Sequence, residues 1–457
     1  MKRELTDTQI KDGRSFERDA ELDRLEAVAR DILEQARRKG ATEAEVLAHS
    51  SQGLAVTVRL GGVDVLEHTR DSGIDVTVYK GRSKGNASCA DLSESSIREC
   101  VERAVDIARF TQEDPSNGLA PADLLATEFT DLDLWHPLPL DAKAVIERAL
   151  SIESAGRGDE RISNSEGASV NAGLGISVYG NSHGFIGRSS GTRFGQNCVL
   201  IAGSGDAMQR DYSYDARRSL DDLESPEITG RDAAERTIRR LGARQIGTAE
   251  MPVLLAPEIA RSFIGHLIGA ISGSALYRNA SFLKDAAGER LFPEWVTIRE
   301  RPRLPRGQGS ATFDGDGVAT RERNIVENGV LTGYVLSTYS ARRLGLETTA
   351  NSGGVHNVVV EPGGDGADEP WRDVKHGLLV TELMGQGVSL LTGDYSRGAA
   401  GFVIERGELA YPVEEVTIAS NLRDMFAGIR LAGRDLDTRG NVQSGTILIE
   451  KMMVAGQ

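Results

Sequence analysis

The sequence predicts an α+β protein, with antiparallel sheets and flanking helices in its N-terminal half and a strand-rich C-terminal domain. Three observations lead there. Between residues 43 and 80 the runs EAEVLAHS, LAVTVRL, VDVLEHT and IDVTVYK alternate apolar and polar positions, the period of a sheet with one buried face. Helical patterns stand at the ends of such runs rather than between successive strands, which argues against a doubly wound parallel sheet. Beyond residue 247 strand patterns dominate, and two-residue turn signals recur at Asn328–Gly329 and Arg406–Gly407.

In chain order, residues 1–20 are polar throughout and read as a mobile N-terminal arm. Leu22, Leu25, Val28, Ala29, Ile32, Leu33 and Ala36 mark one face of a helix, and Gly40 stands where a C-terminal stop belongs. The alternating runs follow as a meander, with breaks expected at Gly61–Gly62 and Ser72–Gly73. Ser93 then opens a helix carrying Ile97, Val101, Ala104, Val105 and Ala108, completing an N-terminal subdomain over 21–120. The segment EDPSNGLAPADL reads as a loop. A helix from Asp141 to about Ile152, a second set of strands with Gly, Asn and Ser turns, and a basic helix from Thr229 make a middle α+β subdomain over 121–246. Residues 247–457 form the third part.

Composition narrows the function classes. A formal net charge of −15 argues against broad nucleic-acid binding, which needs basic patches to replace counterions. The most apolar stretch, Phe263–Leu276, is interrupted by Gly265, His266, Gly269, Ser272, Gly273 and Ser274, so no membrane span is expected. The N-terminus has no apolar core of a secretory signal. Cys89, Cys100 and Cys198 are widely spaced and form no CxxC pair, which fits reduced thiols and a cytoplasmic location.

Few motifs carry chemistry. PEIARSFIGHLIG (257–269) reads as a helix start with Pro257 at its first position and Ile259, Phe263 and Leu267 at helical spacing. Its one histidine, His266, cannot hold zinc alone, because even a catalytic site needs about three protein ligands. The other histidines make no HxH, HxxxH or HExxH spacing. TGDYSRGAAG (392–401) combines glycines that admit close backbone approach with polar Thr392, Asp394, Tyr395, Ser396 and Arg397; a plain tight loop accounts for it equally well. DGDG (314–317) begins like a calcium loop, but Val318 occupies the third ligand position, so a hairpin turn is expected. There is no local Cys–His pairing. Chemistry alone names no function.

Longer stretches together carry a resemblance. VYGNSHGFIG (178–187), RDYSYDARRSLDDL (210–223), GHLIGAISGSALYR (265–278), TYSARRLGL (338–346), TELMGQGVSLLTGDYSRGAAGFVIERGELAYPVEEVTIASNLRDM (381–425) and the terminal MMVAGQ resemble the TldD/PmbA family, in its PmbA (TldE) branch. The likeness runs from about residue 25 onward. It implies a pair of related subunits: a TldD-type zinc metallopeptidase with an HExxxH motif and a later cysteine ligand, and a TldE-type subunit of the same fold without them. Laid on this chain, those positions fall on Arg261, Ser262 and His266, and the cysteine position on Ala432. The two histidine positions lie ~140° apart on a regular helix, so both could face one metal only where the helix is distorted or ends. The resemblance therefore implies no catalytic or metal-binding residue and no cofactor in this chain, with zinc in a TldD-like partner forming a heterodimer. Extended peptides, unfolded or modified, are the implied substrates. Thr392, Gly393, Asp394, Tyr395, Ser396 and Arg397 are candidates to hold them by strand addition. An independent hydrolase and a homodimeric peptide-binding adaptor are the alternatives.

Overall fold

The computed structural model describes residues 17–138 and 141–456. Most of the segment read as an N-terminal arm lies outside the described residues, and helix α1 (Arg18–Arg38) already occupies its last positions. The chain forms two compact units. One comprises residues up to Leu125 with Asp133–Ser204 and Arg210–Ile238; the other comprises Ala126–Leu132, Gly205–Gln209 and the chain from Arg239.

In the first unit, β1 (Glu43–Arg59), β2 (Gly62–Lys80), β3 (Ser83–Cys89), β4 (Ile162–Asn181), β5 (Ile186–Ala202) and β6 (Gln209–Arg217) make one antiparallel sheet in the order β3-β2-β1-β4-β5-β6. The β1–β4 pairing carries this sheet through both segments delimited at residue 120 from the sequence. Val46, Ala48, Leu54, Val56 and Val58 are buried along one face of β1. Helices α1 and α2 (Glu94–Phe110) cover one half of that face, and α3 (Ala142–Gly156) with α4 (Pro226–Arg239) the other. Ser93 caps α2 by accepting from the Ser96 N–H, and Asp141 caps α3 by accepting from that of Lys143, as their sequence positions predict.

Two expectations fail here. The break read at Ser72–Gly73 is not a turn, because β2 runs straight through it. A Cβ at Gly73 would stand 2.9 Å from the His49 ring, and one at Gly53 would stand 2.6 Å from Thr69 Oγ1. These glycines allow neighbouring strands to pack closely, which in sequence looks the same as a chain reversal. The basic helix also begins three residues before Thr229, since Pro226 takes its first turn.

The second unit contains β7 (Ala249–Leu255), α5 (Pro257–Ala270), α6 (Gly273–Tyr277), β8 (Ile298–Glu300), β9 (Arg323–Glu327), β10 (Val330–Leu331), α7 (Thr338–Leu344), β11 (Val358–Val360), β12 (Gly363–Gly364), β13 (His376–Met384), β14 (Asp394–Glu405), β15 (Glu408–Asn421), α8 (Leu422–Ala427), β16 (Ile429–Ala432), β17 (Val442–Gln443) and β18 (Ile447–Ala455). A small sheet runs β10-β9-β8-β11-β17. The larger runs β12-β16-β18-β15-β14-β13-β7, and a further β18–β7 pairing closes five of its strands into a ring. Both predicted hairpin turns are present: Asn328 and Gly329 take φ of 49° and 79°, Arg406 and Gly407 of 55° and 83°. The apolar face of α5 (Ala260, Phe263, Ile264, Leu267) packs into the core shared by both sheets. No helix among the described residues is long and apolar enough to cross a membrane.

The DGDG segment is a turn: Asp314 N–H donates to the Val318 carbonyl, and Gly317 N–H to that of Asp314. The Asp314 carboxyl is buried and accepts from the N–H groups of Asp316, Val318 and Ser352. Burial, aided by the neighbouring Asp316 charge and opposed by those hydrogen bonds, pushes its pKa up to about 7. A folded value above the unfolded one favours the native state at low pH, and the benefit is lost as pH rises from about 4 through 7. Folding stability is therefore expected to fall by up to ~4 kcal/mol across that window from this group. Asp314→Asn should flatten the dependence in urea titrations at pH 5 and 8; an unchanged slope would remove Asp314 as its source.

Candidate functional site

Helix α5 begins where β7 ends, with Pro257 supplying a first-turn residue that needs no N–H donor. It continues as helix through Gly265 without interruption to Ala270. Regular helix geometry then sends residues 261 and 266 in different directions.

Arg261 reaches the loop before β17. Its Nη1 donates to Asp437 Oδ2 at 2.6 Å, and the Asp437 side chain is 2% exposed. Arg439 grips the same carboxylate with Nε to Oδ1 at 2.8 Å and Nη2 to Oδ2 at 3.0 Å, and its Nη2 also reaches Glu258 Oε2 at 3.3 Å. Burial by itself would raise the Asp437 pKa. The hydrogen bonds from Arg439 and the charges of Arg439 and Arg261 outweigh it and hold the carboxyl below its usual range.

His266 faces β14. Its ring stands edge-on to the buried Tyr395 ring, with centroids 6.0 Å apart. Burial, reinforced by the Arg397 charge, lowers the His266 pKa and keeps the imidazole neutral at pH 7. Burial pushes the Tyr395 hydroxyl up to about 12 despite Arg397, so it keeps its proton.

Ser262 is half-buried on α5. Ala432 lies buried in β16, paired with Gly363 and Ile447. A guanidinium, a hydroxyl and a methyl group at three of the four positions do not fit a zinc ion. Among the described residues no cluster of three or more His, Cys, Asp or Glu is arranged to hold a metal.

The TGDYSRGAAG segment is not a loop. Only Thr392 and Gly393 lie in a turn, where Thr392 Oγ1 donates to Asp394 Oδ2 at 2.6 Å; from Asp394 the chain is β14. This strand pairs with β15 along its length and with β13 from Gly398. Near its start Ser396 N–H donates to the Gly387 carbonyl and Ser389 N–H to that of Asp394. Strand addition on β14 is therefore not available, because its backbone groups are already used on both flanks. Thr392, Asp394 and Ser396 are exposed, whereas Tyr395 and Arg397 share the inward face with His266.

The sequence reading missed Glu258, Asp437 and Arg439. Asp437 lies far along the chain from Arg261, and the only local cue is an Asp two residues before an Arg, which here closes a turn through Arg439 N–H to Asp437 Oδ1.

Residues 44–108, 135–241 and 248–456 match, in turn, PmbA/TldA metallopeptidase domain 1, the central domain and the C-terminal domain. The chain belongs to the PmbA/TldD family. It is 45% identical to metalloprotease PmbA of Escherichia coli O157:H7, over 91% of this chain and 92% of that one. A PmbA homolog of Haemophilus influenzae is 43% identical over 93% and 94%. The crystal structure of TldE from Thermococcus kodakarensis shares the fold, with a TM-score of 0.83 at 20% identity, covering 94% of this chain and 100% of that one.

Proposed function

We propose that this chain is the metal-free, non-catalytic subunit of a TldD/TldE-type zinc metalloprotease of the cytoplasm. It pairs with a TldD-like subunit that carries the zinc, and helps hold extended peptides, unfolded or modified, for cleavage there. The observation that supports this reading is the ion pair between Arg261 and Asp437. A permanent cation with its own counterion stands where the family resemblance places a metal ligand. Arginine does not lose its proton in proteins, so it cannot bind a metal and repels one electrostatically. Ser262 likewise offers no carboxylate to take a proton from a metal-bound water.

The test is elemental zinc analysis of the purified chain, alone and after mixing with a TldD-like partner, with cleavage of an unstructured peptide followed in the same samples. The expected result is no stoichiometric zinc and no cleavage by the chain alone, and both in the mixture. Stoichiometric zinc with cleavage by the single chain would overturn the reading and point to an independent hydrolase. A homodimer in isolation is compatible with the proposal, since related subunits can substitute for one another at a shared interface.

A further inference from the structure

Three buried side-chain atoms on or beside α5 have no hydrogen-bond partner among the described residues: His266 Nε2, Tyr395 Oη and Arg397 Nε. Buried polar groups are normally satisfied, because leaving one bare forfeits its hydration with no return. One such atom is an isolated defect. Three on two facing elements, with two of the rings in edge contact, describe a place built for something else.

The chemistry of the missing partner follows from the donor inventory. Arg397 Nε–H can only donate. The Tyr395 hydroxyl carries its proton, and a neutral His266 presents an N–H in one of its two tautomers. Each of the three can donate, and none finds an acceptor. Arg397 also has no carboxylate within ion-pair distance among the described residues, in contrast to Arg261, Arg323 and Arg439, each of which has at least one. What is lacking is an acceptor with negative charge. His266 and Arg397 are each partly exposed, so the three donors lie just beneath the surface.

We infer that His266, Tyr395 and Arg397 form a carboxylate-binding site that anchors an acidic group of the bound peptide. The identity of the ligand as a peptide rests on the function proposed above; the carboxylate chemistry rests on the three donors. The planar guanidinium matches the two oxygens of a carboxylate, and the hydroxyl and imidazole flank it. The carboxylate comes either from the peptide C-terminus or from an Asp or Glu side chain.

The experiment measures binding of three N-acetylated, fluorescently labelled alanine peptides to the full chain by anisotropy. One has a free C-terminus, one a C-terminal amide, and one a C-terminal amide with a central Glu. The neutral amide is expected to bind at least ~tenfold more weakly than one of the two carboxylate peptides, the effect of losing hydrogen bonds to a charged group. The tighter of those two identifies the source. Arg397→Lys, which keeps the charge and loses the fork, and Tyr395→Phe, which keeps the ring and loses the hydroxyl, should each erase much of that preference. Equal binding of all three peptides, or no measurable binding of either carboxylate peptide, would overturn the site. Cleavage of the same peptides by the mixture with a TldD-like partner keeps the two claims apart. Zinc-dependent cleavage indifferent to carboxylates removes this site and leaves the subunit role standing.

Discussion

Replacing Arg323 with alanine is expected to cost about 3–5 kcal/mol of folding stability, the range for stripping one partner from a buried ion pair. The Glu300 carboxylate is 2% exposed and lies 2.8 Å from Arg323 Nε. Its other oxygen accepts from Asn351 Nδ2 at 2.7 Å and from the His356 N–H at 2.9 Å. Arg323 also donates to the Tyr334 carbonyl and to Asn351 Oδ1, so one guanidinium ties β9 to the chain on both sides of α7. Removing it leaves a charge in the interior with two neutral donors. The contrast is with Arg103–Glu99 on α2, where both side chains are 62% exposed and solvent screening leaves the pair contributing little. Urea unfolding of Arg323→Ala and Arg103→Ala should separate these cases; a loss below about 1 kcal/mol for Arg323→Ala would mean that water enters and solvates Glu300.

The second large effect is expected at Asp437. Asp437→Ala removes the carboxylate that Arg261 and Arg439 share, and a loss near 3 kcal/mol follows from the same reasoning. The pH dependence has the opposite sign to that of Asp314. A folded pKa held below the unfolded one stabilises the protein above about pH 4, and that contribution is lost as pH falls through the lowered folded value. Asp437→Asn should therefore lose less stability than the unaltered protein between pH 5 and pH 3. Parallel acid profiles for the two would show that Asp437 titrates normally and that its arginines merely lie nearby.

Local order was legible because local chemistry sets it. Ser93 and Asp141 announce their helices by side-chain caps, and Asn328–Gly329 announces a hairpin by the positive φ it tolerates. Glycine was the ambiguous letter. At Gly73 it permits strands to touch, and in Gly398–Gly401 it lets β14 lie against β13, where a Cβ at Gly401 would strike the Leu379 backbone. No windowed pattern distinguishes that use from a loop. The candidate site was legible as a set of suspects: His266, Tyr395 and Arg397 all stood out as residue types. That they converge, and that Arg261 turns away toward Asp437, depends on pairing between elements far apart in the chain, which neither periodicity nor spacing encodes.

The β7–β18 pairing sets a schedule for synthesis. β7 emerges early in its unit, yet one of its two neighbours in the ring follows about 190 residues later, roughly 10–40 s at bacterial or eukaryotic elongation rates. Through that interval β7 offers an unpaired apolar edge, the kind of surface that invites chaperones and mispairing. Closing so distant a contact also carries the loop entropy that slows strand-rich folds. The first unit has its six strands in hand long before, so the nascent chain matures in two stages, with the half bearing His266 and Arg397 the last to take shape.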